Sequence, residues 1–179
     1  AARRAAALTH RLLAFSRRQT LDPRPVDVGP LISELEDIIR RAVGPGHDIG
    51  INIHDGVWQT RIDPNQLENA LLNLCINARD AMPDGGHIEI VASNQMVGET
   101  DARAWEMAPG DYVVLCVADE GSGMTPDVIA RAFDPFFTTK PLGEGTGLGL
   151  SMIYGFAAQS GGAIRIDSPV GQGPVMRLY

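Results

Sequence analysis

Lysine occurs once in this 179-residue chain, at position 140. Cysteine occurs twice, as Cys75 and Cys116, and neither belongs to a CxxC pair or a Cys/His cluster, so nothing supports a zinc or redox site. Cys75 falls in an apolar helical pattern and Cys116 in an apolar strand pattern, and both read as buried, inert thiols. No apolar run approaches the ~20 residues that span a bilayer, and the first residues lack the apolar centre and cleavage site of a secretory signal. The sequence therefore predicts a cytoplasmic chain with no membrane contact. Basic charge is scarce past residue 41: residues 42–179 carry seven basic against seventeen acidic side chains, whereas residues 1–41 carry eight arginines and five acids. An acidic body argues against nucleic acid as a partner. Internal repeats and low-complexity tracts are missing as well. What remains is an ordinary globular composition, 44% hydrophobic with a net charge of -7, and a length suited to one domain with an appendage.

The appendage is at the start. Ala5, Leu8, Leu12 and Phe15 recur at steps of three and four through an Ala/Arg-rich stretch without Gly or Pro, which reads as an amphipathic helix. Alone it buries little, so its stripe calls for another helix, such as one in a second chain. The extended segment 21–25 follows. Residues 27–42 predict a second helix, with Leu31, Leu35, Ile38 and Ile39 on one face and the Gly44-Pro45-Gly46 breaker behind it. Ile49, Ile51 and Ile53 alternate as a strand, and residues 57–62 are expected to pair with it across a turn at Asp55-Gly56. Asp63-Pro64-x-Gln66 opens a helix expected to reach Met82. Strands near 87–93 and 112–118 flank a polar excursion at 98–110. A short helix from Pro126, a loop at 133–147, a helix at 148–160 and strands near 163–168 and 175–179 complete the chain. Mixed strands with helices to one side predict an α+β fold, a two-layer α/β sandwich.

Four segments carry the chemistry. Along residues 63–82, Leu67, Leu71, Leu74, Ala78 and Met82 form a buried stripe, while Asn69, Asn73, Asn77 and Asp80 share another face. An exposed helix would more naturally carry Lys and Glu there, because Asn is a poorer helix former. Side-chain oxygens one turn apart suit a hard cation such as Mg2+, which also keeps water and phosphate ligands. The strand at 112–118 delivers Asp119-Glu120-Gly121-Ser122-Gly123-Met124, an acceptor-only carboxylate followed by glycines that permit close ligand approach. Such a carboxylate accepts from the exocyclic amine of adenine and repels the carbonyl of guanine. Gly143, Gly145, Gly147 and Gly149 alternate just before an apolar helical pattern, where backbone N–H groups favour phosphate. This is neither a Walker A loop nor a Rossmann fingerprint, since no Gly-Lys-Ser/Thr follows and Met152 stands at the third glycine position. Between these segments, Phe133, Phe136 and Phe137 are expected to anchor a lid by burying themselves, and Lys140 supplies a point charge for a terminal phosphate.

Taken together, Asn73-x-x-x-Asn77-Ala78, Asp119-x-Gly121-x-Gly123, Phe133-x-Pro135-Phe136 and Gly145-Thr146-Gly147-Leu148-Gly149-Leu150 resemble, in order and spacing, the N, G1, F and G2 boxes of sensor histidine kinases. Those kinases belong to an ATPase superfamily that includes DNA gyrase, the large heat-shock chaperone and MutL. The resemblance covers nearly the whole chain. It implies a Bergerat-type sandwich in residues 22–179 that binds ATP with Mg2+, and it makes residues 1–21 the second helix of a partial dimerisation and histidine-phosphotransfer hairpin. By position, Asn77 would hold the Mg2+, Asn73 would be a phosphate-side partner, Asp119 the adenine reader and Lys140 a phosphate contact, with Asn73 and Lys140 as the catalytic pair. The remaining nucleotide contacts implied are Asp80, Ala81, Gly121, Gly123, Met124, Phe136, Thr138, Thr139, Gly145, Thr146, Gly147, Leu148, Gly149 and Leu150. Implied partners are a response-regulator receiver domain and a second copy of the intact protein.

Position 73 separates two activities within that superfamily. Its ATPases characteristically carry Glu there as a general base for water. An amide accepts no proton, whereas a neutral imidazole needs no base to attack phosphorus. Transfer to histidine fits better than a gyrase-like ATPase or a nucleotide-sensing module. The family's acceptor precedes an acid on the first hairpin helix, which this stretch of sequence lacks, and His10 is followed by Arg11.

Overall fold

The computed structural model describes residues 21–141, 145–168 and 173–179. The helix expected in residues 1–20 lies outside them. Strand β1 (Arg24–Asp27) leads directly into helix α1 (Val28–Val43), whose first turn is capped by the Asp27 carboxylate accepting from the Gly29 N–H at 3.1 Å. Val28, Ile32, Leu35, Ile39 and Val43 are buried on its inner face, and Gly44 ends it at φ +88° with its N–H on the Arg40 carbonyl. Ile38, expected on that face, points outward and is 49% exposed, because the stripe drifts one position per turn and Leu35, Ile39 and Val43 already fill it.

Strand β2 (His47–Ile53) and strand β3 (Gln59–Ile62) follow, with the Asp55-Gly56 turn between them. The hairpin expected there does not form. β3 pairs antiparallel with β1, Asp27 opposite Gln59 and Arg24 opposite Ile62, while β2 joins the main sheet. The reason is burial: Ile49 is packed into the core, whereas β3 alternates exposed Gln59 and Arg61 with half-buried neighbours and suits a peripheral ribbon. Asn94 stabilises the turn instead, accepting from the Trp58 N–H at 2.9 Å and donating to the Gly56 carbonyl at 2.8 Å.

Helix α2 (Pro64–Asp80) starts where that ribbon ends. Asp63 accepts from the N–H groups of Asn65 and Gln66 at 3.0 and 3.2 Å, and its other oxygen accepts from the Asp22 N–H at 3.0 Å. The bond from Asp22 does most to hold its carboxyl below the usual range, against the opposing effect of burial. Strand β4 (Gly86–Val97) and strand β5 (Gly110–Asp119) are longer than the sequence pattern predicts and run antiparallel over ten paired positions. The excursion between them holds a short helix, α3 (Glu99–Ala104), fastened by buried Ala102. Helix α4 (Pro126–Arg131), helix α5 (Gly149–Gln159), strand β6 (Ile164–Asp167) and strand β7 (Val175–Leu178) complete the fold.

The five-stranded sheet has the order β2-β4-β5-β7-β6, with β2 parallel to β4 and the other pairs antiparallel. Helix α2 packs beside α1 and α5 and lies on β4 and β5, giving the two layers expected. Between them sit Leu67, Leu71, Leu74, Ile88, Ile90 and Val117, each at most 2% exposed. Cys75 is in the same core, where burial pushes its thiol up to about 12 and leaves it inert. Among the described residues no helix is long and apolar enough to cross a membrane.

Because the Asp63 carboxylate joins the start of α2 to the chain before β1, Asp63→Ala removes three hydrogen bonds at once. Its expected loss is about 1–3 kcal/mol of stability in urea unfolding, more than an isolated cap contributes.

Candidate functional site

The burial of Leu67, Leu71, Leu74, Ala78 and Met82 turns Asn69, Asn73, Asn77 and Asp80 away from the sheet. The first turn of α5 is brought against that amide row. A Cβ built on Gly149 would lie 3.8 Å from Asn73 Oδ1 and 4.0 Å from Asn77 Nδ2, so two motifs 72 residues apart in sequence meet face to face. Asn73 Nδ2 donates to the Asn69 carbonyl at 2.9 Å, which leaves Asn73 Oδ1 directed at α5. No side chain caps α5, so its first-turn N–H groups remain available as donors. Thr146 Oγ1 takes the Leu148 N–H at 3.3 Å, and Leu148 itself is buried, anchoring the helix start. Half-buried Leu150 packs against the core behind it.

Asp119 closes β5 opposite Ile88 and is half-buried. Burial raises its carboxyl above the ordinary aspartate range, against the lowering effect of the Gly121 N–H that it accepts at 2.8 Å. Gly121 passes close to the end of α2: a Cβ there would lie 2.7 Å from Asp119 Oδ1 and 3.0 Å from the Ala81 Cβ. Gly123 turns the chain at φ +73°, and half-buried Met124 follows with its N–H on Ser168 Oγ at 2.6 Å. Gly173, absent from the motifs read in the sequence, crosses directly over the Asp119 carbonyl, and the carbonyl of its neighbour Pro174 accepts the Asp119 N–H at 3.3 Å. Its sequence signal is a Gly-x-Gly-Pro turn, too common to single out.

Residues 133–141 lie across residues 145–147. Phe136 adopts φ +70° and donates its N–H to the Gly147 carbonyl at 2.8 Å. Gly147, at φ +64°, sits so close that a Cβ would come within 2.3 Å of the Phe136 carbonyl carbon, so only glycine fits. The expected burial of all three aromatics is corrected here. Phe133 stacks on Tyr154 at 5.3 Å and Phe137 lies under the Arg131 guanidinium at 4.4 Å, both only half-buried, and Phe136 is 46% exposed and is held by its backbone. Thr138 and Thr139 are exposed, and Thr138 Oγ1 accepts from the Lys140 N–H at 3.1 Å. Gly143 lies outside the described residues.

The Lys140 ammonium reaches α2, 2.5 Å from Asp80 Oδ2 and 3.4 Å from Asn77 Oδ1. Burial would raise the Asp80 carboxyl, but hydrogen bonds from Lys140 and Arg79 prevail and hold it below the usual range. The place where Asn77 and Asp80 converge thus already attracts a cation. Among the described residues no cluster of three or more His, Cys, Asp or Glu side chains could hold a metal by itself. That donor set fits a Mg2+ completed by water and phosphate oxygens rather than a closed protein cage. A cavity of about 260 Å3 bounded by Trp58, Tyr112 and Tyr179 shares no lining residue with these loops.

An amide-faced helix, a half-buried strand-end carboxylate and a glycine loop at an uncapped helix start, all on one edge of a two-layer sandwich, define a nucleotide-binding ATPase-type domain. The chain belongs to the family of histidine kinase-, DNA gyrase B-, and HSP90-like ATPases, whose model matches residues 62–179. It is similar to the sensor kinase CckA of Brucella abortus, with 43% identity over 99% of this chain and 19% of that protein. It is also similar to the sensor histidine kinase ZraS of Escherichia coli K12, with 31% identity over 94% of this chain and 33% of that protein. The chain thus spans a third or less of these two relatives. Among solved structures, full-length ShkA in complex with AMPPNP superposes with a TM-score of 0.69 at 26% identity, over 88% of this chain and 30% of that one. The mycobacterial sensor histidine kinase MprB gives 0.66 at 26% identity, over 87% and 94%.

Burial of Asp119 has a consequence for stability that needs no ligand. The folded state holds the Asp119 proton more tightly than the unfolded chain, so ionisation at neutral pH opposes folding, and this opposition is relieved as pH falls through the raised value. Asp119→Asn retains an acceptor for the Gly121 N–H and carries no charge. It is expected to melt on the order of 1–2 °C higher than the parent at pH 7, a modest gain because the half-exposed carboxylate is partly screened, with the gap closing toward pH 4.

Proposed function

We propose that this chain is the catalytic ATP-binding domain of a sensor histidine kinase, delivering the terminal phosphoryl group of ATP to a histidine and thence to the aspartate of a response-regulator receiver domain. The observation that carries this reading is the pair Asn73 and Asn77 within 4.0 Å of the Gly149 position, with an amide and no carboxylate at 73. A water-activating ATPase needs a proton acceptor beside the terminal phosphate, and Asn73 cannot serve.

In this reading the adenine amine donates to Asp119, in the slot bounded by Gly121, Gly123 and Met124 at the end of α2 near Ala81. The triphosphate lies along Gly145, Thr146, Gly147 and Gly149, where the N–H groups of the first turn of α5 complement its charge. Asn77 Oδ1 would hold Mg2+, which neutralises phosphate charge when bound. Asn73 orients the terminal phosphate directly or through water. Lys140, with Thr138 and Thr139 beside it, steadies the developing charge as the imidazole nitrogen bonds to phosphorus and the bond to the bridging oxygen breaks, ADP leaving with that oxygen. In this reading the acceptor histidine and the contact with a second subunit are supplied by a helical hairpin. The fold supplies positioning and electrostatics, which is most of what phosphoryl transfer asks of a protein.

The test combines the purified domain with a separately prepared hairpin bearing a histidine, γ-labelled ATP and Mg2+. Acid-labile label on the hairpin is expected, while Asn77→Ala and Asp119→Asn each weaken Mg2+-ATP binding tenfold or more in calorimetry, about 1.4 kcal/mol or above. Steady phosphate release without the hairpin, abolished by Asn77→Ala, would replace this reading with an ATPase. Absence of any ATP binding heat would overturn it.

A further inference from the structure

Asp80 is expected on sequence among the nucleotide contacts, yet its surroundings assign it different work. A carboxylate facing a triphosphate would repel it, and both Asp80 oxygens are already engaged. Oδ1 accepts from Arg79 Nε and Nη2 at 2.8 and 2.6 Å, and Oδ2 accepts from Lys140 Nζ at 2.5 Å. Arg79 reaches backward as well, with Nη1 on the Ala42 carbonyl at 2.7 Å near the end of α1. The carboxylate is therefore braced from behind by two packed helices and presents one oxygen to the chain's single lysine. The same ammonium stands 3.4 Å from Asn77 Oδ1. Among the described residues, no other side-chain hydrogen bond or ion pair joins residues 138–141 to α2.

We infer that Asp80 is a positioning residue that parks the Lys140 ammonium against Asn77 in the nucleotide-free protein, in the place the proposed function gives to the divalent ion, and yields it to the terminal phosphate when that ion arrives. This rests on the reading of Asn77 as the metal ligand. The exchange follows from charge. One carboxylate and one amide oxygen hold an ammonium well, but a doubly charged ion entering the same few ångströms repels it. The nearest compensating anion is then the nucleotide, and Lys140 can swing to it while residues 136 and 147 keep their backbone bond. The segment thereby moves with the metal, and metal-free nucleotide meets an ammonium that is already occupied.

Two readouts test this. The first is hydrogen exchange of residues 138–140 without nucleotide or metal. Asp80→Asn and Lys140→Met are each expected to raise it about threefold or more, and the double variant no further, because both changes break one contact. The second is the ratio of ATP affinity with Mg2+ to that in EDTA. Freeing Lys140 strengthens metal-free binding, so Asp80→Asn is expected to shrink that ratio at least threefold. If Asp80→Asn disturbs α2, Lys140→Met breaks the contact from the loop side and decides the exchange result. Unchanged exchange in Lys140→Met, or strictly additive effects, overturns the inference. The cycle is run without nucleotide, so a chain that fails to bind ATP yet shows coupling sinks the functional reading and the handover that rests on it, and leaves only the parking of Lys140 by Asp80. A chain that binds ATP with additive exchange sinks only the role of Asp80.

Discussion

The rotation of α2 about its own axis is the constraint on which the site depends. Leu67, Leu71, Leu74, Ala78 and Met82 are buried against the sheet, and at 3.6 residues per turn this leaves Asn73, Asn77 and Asp80 a single direction to face. Turning the helix by one residue would swing it ~100°, exposing leucines and pushing amides into a core where an unpartnered polar group costs roughly 1–3 kcal/mol. Asp63 defines the start of the helix and so its register, and the strands of the β1–β3 ribbon lead straight into the capping residues of α1 and α2. Site geometry is thus a by-product of core packing, and no residue of the amide row has to hold itself in place.

The two loops that meet this helix use the opposite strategy. Beside the partly buried Met124 and Phe133, they are located by contacts that tolerate no side chain. Gly147 nests against the Phe136 backbone and Gly121 slips between Asp119 and Ala81. Phe136, left-handed and exposed, shows the balance: its ring contributes little packing, while its N–H bond to Gly147 ties the two segments together. Such a junction can hinge about one backbone bond without disturbing the core, as a segment that opens and closes over a ligand requires.

How much of this could be read beforehand follows the range of each interaction. The cap Asp63-Pro64, the stripe of α2 and the Asn row are periodic and local, and each is where the pattern places it. The glycine motifs state that a backbone comes close but not to what; that Gly147 faces Phe136 and Gly149 faces Asn73 is a tertiary fact. The hairpin expected at Asp55-Gly56 fails for the same reason. The turn is local and forms, but β2 gains more by entering a buried sheet beside β4, a partner more than thirty residues away. Asp80 and Lys140, 60 residues apart, carry no mutual signal at all.

Asp119 and Asp80 divide the labour of negative charge along this edge of the sandwich. Asp119 is raised by burial and satisfied by one backbone N–H, so its remaining acceptor capacity is available at the expense of stability. Asp80 is lowered by two cations, which engage both of its oxygens. Residue type and position alone would assign both to nucleotide contact, yet their environments push them apart: one keeps an acceptor oxygen open and the other is tied to a lysine. A carboxylate that stabilises the empty protein and one that destabilises it face the same cleft. The first ties Lys140 to α2, and the second leaves acceptor capacity unfilled at the end of β5.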